Sequence, residues 1–152
     1  MTLMVQFSEY ASRPLLLLTL ICLGSSCPAE PMQMLTSEDL EAELPGTHLF
    51  GHLMGSDLSF DECIEPDGET VYRFAPESAE IGYSNPGQMV ITPLAQACFS
   101  YPPDNDPNPS CFRVFRYGDG YVFDAVGATS RFVVTKVLRG IDICPDPGAL
   151  IG

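Results

Sequence analysis

The chain has no tryptophan, two histidines, and seven lysines and arginines against twenty aspartates and glutamates. So few basic side chains exclude a nucleic-acid partner and an anionic membrane surface, because phosphate binding needs clustered Lys and Arg. None of the six cysteines sits in a C-x-x-C or C-x-x-H pair, which removes the close ligand pairs usual in structural zinc sites. No Gly-x-Ser-x-Gly elbow is present, and Gly118-Asp-Gly120 leads into a strand pattern rather than the helix a phosphate loop needs. There is no internal repeat. No apolar run approaches the roughly twenty residues that a membrane-spanning helix requires. Fourteen prolines and thirteen glycines argue against long helices.

What is present begins with an uncharged run, Pro14 to Gly24, behind Arg13. At about ten residues it has the length of a signal-peptide apolar region. Small residues follow at Gly24, Ser25 and Ser26. The expected organisation is a cleaved signal peptide over 1–29, a tether over 30–35, a disulfide-stapled domain over 36–147 and a tail over 148–152. Cleavage after Ala29 leaves a soluble exported protein, periplasmic or secreted. Cleavage before Cys27 instead leaves a cysteine able to carry lipid, which makes an outer-membrane lipoprotein and the one route to a membrane.

Either route leaves Cys63, Cys98, Cys111 and Cys144, an even number behind a signal peptide, which suggests two disulfides. Of three connectivities we favour Cys98–Cys111 with Cys63–Cys144. The first closes the proline-rich segment 99–110, worth roughly 3 kcal/mol in the chain-entropy account.

One helix signal appears: Thr36-Ser-Glu-Asp39 reads as a capping box, followed by Leu40 and Leu44 and stopped by Pro45-Gly46. The rest reads as strand and turn. Residues 47–53 place His48, Phe50 and His52 on one face. Residues 57–65 set Leu58, Phe60 and Ile64 against Asp57, Ser59, Asp61 and Glu65. Pro66-Asp-Gly68 turns this strand into the next, over 69–75. Further strands are expected over 88–92 and 94–101, bracketed by Asn85-Pro-Gly87 and Pro102-Pro103. A hairpin over 111–117 and 120–126 and a last strand over 131–139 follow. The predicted fold class is mainly β: an antiparallel meander of about seven or eight strands, curled into a small barrel or sandwich, with one short N-terminal helix.

The order of Leu44-Pro-Gly-Thr47, Pro66-Asp-Gly68, Cys98-Phe-Ser-Tyr101, Cys111-Phe-Arg-Val114 and Gly120-Tyr-Val-Phe123 resembles a group of small exported proteobacterial domains of unassigned function. The resemblance covers roughly residues 35–144. It implies a helix before a β-meander, export, a disulfide across 99–110, and no reaction. Members often carry a central-strand Trp; here Tyr83 or Met89 would fill that space.

No catalytic, cofactor or metal site stands out. His48 and His52 would lie about 13 Å apart on a strand, too far to share a metal. Asp104, Asn105, Asp106 and Asn108 mimic the opening of a calcium loop, but Pro109 and Phe115 occupy the places of its glycine and glutamate. That loop is instead the expected partner-binding tip. Asp61, Glu62, Glu65 and Asp67 read as a solvated run rather than a glycosidase pair. Phe112, Phe115, Tyr117, Tyr121 and Phe123 put rings on both faces of one hairpin, and a closed sheet would let one face line an apolar cavity. The expected functions are, in order, a non-catalytic exported interaction domain, a carrier of a small apolar ligand in a lipocalin-like barrel, and a hydrolase. The partner is accordingly a protein or a small apolar ligand. No oligomeric state is specified.

Overall fold

The computed structural model describes residues 31–76, 83–102 and 108–145. The one helix among these residues, α1 (Ser37–Glu43), starts where the capping box places it. The Thr36 side chain accepts from the Asp39 amide, and the Asp39 carboxylate accepts from the Thr36 amide at 2.9 Å. Leu40 and Leu44 are fully buried.

Nine strands accompany it: β1 (Gln33–Met34), β2 (Thr47–Leu53), β3 (Leu58–Ile64), β4 (Glu69–Pro76), β5 (Tyr83–Thr92), β6 (Gln96–Ser100), β7 (Ser110–Tyr117), β8 (Gly120–Ala125) and β9 (Arg131–Arg139). From β2 to β9 each strand pairs antiparallel with the next, and β9 returns to pair with β2. The meander is therefore a closed eight-stranded barrel, with β1 as an extra strand. Eight strands enclose an interior that side chains just fill, or that holds one small ligand.

Closure needs a close approach between β2 and β9. A Cβ on Gly51 would lie 2.1 Å from the Val133 carbonyl oxygen, so only glycine fits. Beside it the register shifts, Phe50 facing Lys136 and Gly51 facing Val134, which leaves Thr135 as a bulge. The Pro66-Asp67-Gly68 turn forms as expected, with Gly68 at φ +89°.

Three expectations change. The tether over 30–35 is partly built into the fold: Gln33 and Met34 pair with Arg116 and Phe115, and Leu35 is buried. β6 pairs with β7 only at residues 97–99 against 110–112, so the rest of β7 has an edge that β1 can take. Asn85-Pro-Gly87 is not a turn but part of β5, with Pro86 opposite Val71. β6 reaches only to Gln88, so Pro86 needs no amide on that side. The strand expected over 94–101 begins at Gln96, after a turn whose Ala95 has φ 55°.

Both disulfides have the favoured pairing, Cys63–Cys144 and Cys98–Cys111. No helix among the described residues is long and apolar enough to cross a membrane.

The barrel's ends differ. At one, α1 plugs the opening, and Leu35, Leu40, Leu44, Ile64, Val114, Tyr121 and Val134 pack solidly. Glu43 ties the plug to the wall: its carboxylate accepts from the Tyr121 hydroxyl at 2.8 Å and from Arg116, and its carbonyl accepts from Arg139 at 2.9 Å. At the other end no helix intervenes among the described residues, and the interior is hollow.

Candidate functional site

The hollow is a cavity of about 240 Å³. It takes about eight waters' share of liquid volume, or one small organic molecule. Its walls follow from strand alternation. Inward positions of β2, β3, β4, β6, β7, β8 and β9 carry Leu49, Phe60, Tyr72, Phe99, Phe112, Phe123 and Phe132, and Tyr101 and Ser110 complete the lining. Seven of these are aromatic. Phe132 meets Phe60 and Phe112 edge-on, with ring centres 5.4 and 5.6 Å apart, and Tyr72 lies 5.5 Å from Tyr101. Rings packed edge to face hold each other in place, so the wall is stiff. Met54, Phe74 and Val126 add exposed apolar side chains at strand ends on this side of the barrel.

Among the described residues, one carboxyl faces the rings. Glu62 sits between Phe60 and Ile64 on β3, shares their inward direction, and is 6% exposed. The Thr70 hydroxyl donates to its Oε1, and the Tyr101 hydroxyl donates to its Oε2 at 2.7 Å. Among the described residues, no Lys, Arg or His lines the cavity. Burial in this apolar setting pushes the Glu62 acid up to about 8, against the two hydroxyl bonds that favour the anion, and the nearby Asp61 charge adds to the rise. Tyr72 is pushed up to about 12 by burial and then by the Glu62 and Asp61 charges; burial and Glu62 raise Tyr101 as well. The arrangement is an aromatic well with one acid that is neutral for much of the time at pH 7. Such an acid both donates and accepts hydrogen bonds.

The other candidates fall elsewhere. Asp61 points outward and accepts from His48 Nε2 at 2.6 Å and from Arg73 at 2.7 Å. Burial opposes its ionisation, but the hydrogen bonds from His48 and Arg73 outweigh this and hold it below the usual carboxylate range. Glu65 accepts from the Cys144 amide at 2.8 Å, and Asp67 accepts from the Glu69 amide inside its turn. The four carboxylates thus do not converge. Reading all of them as a solvated run is wrong for Glu62, which shares its strand parity with Phe60 and Ile64. That parity was the signal in the sequence.

His48, unlike His52, is buried. It is 5% exposed and stacks on Phe50 with ring centres 4.3 Å apart, while His52 is exposed. His48 faces Cys63 across the β2–β3 ladder, and the disulfide brings Cys144 onto the same outer face. Among the described residues no three His, Cys, Asp or Glu side chains gather as a metal site.

Of the hairpin rings, Phe112 and Phe123 line the cavity, Tyr121 belongs to the packed core, and Tyr117 is exposed. Phe115 lies opposite Met34 of β1. Of the expected partner loop, Asp104, Asn105 and Asp106 lie outside the described residues, as do Cys27 and the expected signal peptide; Asn108 is described and exposed. The flanking Tyr101 and Ser110 both line the cavity. Compared with known proteins, the chain matches no family model, no curated protein and no solved structure.

Proposed function

We propose that the barrel is a carrier: it binds one small, largely aromatic molecule in its open end and does not transform it. The observation that supports this most is the cavity, walled by seven rings inside a closed eight-stranded sheet. An aromatic well with few polar groups suits retention of a ligand. Hydrolysis would call for a second acid, a nucleophile or a metal beside Glu62, and Asp61 points the other way. The carrier reading therefore stands ahead of an interaction domain built on the 104–108 loop.

Export belongs to the same proposal. Two disulfides suit an oxidising compartment. Residues 1–29 are then the signal peptide, with lipid at Cys27 as the alternative to a soluble periplasmic or secreted form.

Indole is a suitable probe. The chain has no Trp, so indole emission can be excited apart from the protein's tyrosines. Saturable binding of one indole per chain is expected, lost in Leu49→Phe, which fills the cavity from its floor. Stoichiometric binding unchanged by Leu49→Phe, or no saturation at all, would contradict the proposal.

A further inference from the structure

The carrier reading leaves the ligand's polar end open, and Glu62 bears on it. A buried carboxyl normally has a cation beside it, because an uncompensated buried charge is costly. Here Arg73 and His48 both pair with Asp61 on the barrel's outer face. Among the described residues, nothing of positive charge faces Glu62 within the cavity lining. Yet both of its oxygens already accept from hydroxyls, those of Thr70 and Tyr101. That is an arrangement made for a carboxylate, lacking only its counter-ion.

The rings around it point the same way. The faces of Phe and Tyr attract an ammonium group, most strongly where water is excluded. At long range the protein's net charge of −13 attracts cations and repels fatty acids and other anions. The volume of about 240 Å³ admits a small ring with a short side chain and little more.

We propose, building on the carrier reading, that the cavity is a site for a small arylalkylamine, bound as its ammonium ion against the Glu62 carboxylate with its ring among Phe60, Phe112 and Phe132.

Binding of this kind expels a proton. The ammonium ion favours the carboxylate, so Glu62, largely protonated without ligand, gives up its proton to solvent as the ion pair forms. Of the titratable groups around it, Tyr72 on β4 and Tyr101 after β6 are raised and stay neutral, and Asp61 next to it on β3 is lowered and stays charged. Glu62 is then the one of these groups that titrates near neutrality, around pH 8.

Three probes share one ring and differ in charge: tryptamine, indole and indole-3-propionate. At pH 7.5 tryptamine is expected to bind about tenfold or more tighter than indole, and the propionate weakest. Glu62→Gln should erase the tryptamine advantage, bringing tryptamine to the affinity that indole shows for the same variant. In the unmodified protein, tryptamine affinity should rise by up to about tenfold per pH unit below pH 8, while indole stays flat. This second readout stands even if the Gln variant fails to fold. Indole bound as well as tryptamine, with no pH dependence for either, overturns the amine and leaves the carrier. Tightest binding of the propionate overturns it likewise. Failure of all three probes to bind overturns both readings.

Discussion

The two ends of this barrel share the same eight strands and differ in what the strands enclose. At the plugged end, Leu40 and Leu44 from α1 drop between inward aliphatic residues, and Glu43 fastens the helix through Tyr121, Arg116 and Arg139. At the open end the inward residues are rings, braced against one another around a space. Aliphatic side chains with a helix above them close-pack, whereas rings with no helix among the described residues inserted between them leave room. In the carrier reading, stability and ligand recognition fall to different ends of one sheet.

Each end also has its own disulfide, and breaking them separately gives the largest contrast. Cys63–Cys144 spans 81 residues and anchors the C-terminal segment near Ile64 and His48; Cys98–Cys111 spans 13 and joins β6 to β7 beside Phe99 and Ser110. Replacing the first pair by serine should destabilise the protein by about 4.5 kcal/mol, and the second by about 3 kcal/mol, in urea titrations at neutral pH. The smaller loss should carry the larger effect on indole binding, because the short bridge borders the cavity. The reverse order of stabilities would break the contrast.

A pH series sharpens it from the hollow side. The folded protein holds the Glu62 proton up to about pH 8, and the unfolded chain releases it near 4.5. The stabilisation from that bound proton is complete below pH 4.5 and is lost as pH rises through 8, a fall on the order of a few kcal/mol. Glu62→Gln should remove this slope. The difference between the two pH–stability curves isolates the residue from Asp61, whose lowered pKa acts only in the acid range.

A smaller contrast comes from trimming one side chain at each end. Leu40→Ala opens a void in the packed plug and should cost about 3 kcal/mol with indole affinity intact. Phe132→Leu, beside space that already exists, should cost about 1 kcal/mol and weaken indole binding. Equal losses of stability with equal losses of binding would mean the ends are not separate in function.

Much of the fold was legible because it is local. Alternation placed most of the strands from Thr47 to Arg139, the Pro66-Asp-Gly68 and Gly118-Asp-Gly120 turns lie where expected, and the capping box placed α1. Apart from the Cys63–Cys144 pairing, what needed partners distant in sequence was less legible. β1 is two residues long, too short for any periodicity, and exists because β6 leaves part of β7 uncovered. A Pro-Gly pair reads as a turn until the missing neighbour beside Pro86 makes a strand acceptable. Closure depends on β9 meeting β2, brought together by the lack of a side chain at Gly51. The cavity was half legible: rings on two faces of one hairpin suggested it, but Phe60, Tyr72, Phe99 and Phe132 come from other strands. Glu62 was visible by parity and concealed by its acidic neighbours, Asp61 and Glu65, which do face outward.

The central claim, that the unplugged end is a binding site and the plugged end is not, is tested most directly by mapping indole onto the protein by NMR. Aromatic and methyl signals should be followed through a titration. Shifts are expected at Leu49, Phe60, Phe112 and Phe132, while Leu40, Leu44 and Val114 stay still. Shifts spread evenly over both ends, or confined to the exposed rings outside the barrel, would contradict the account.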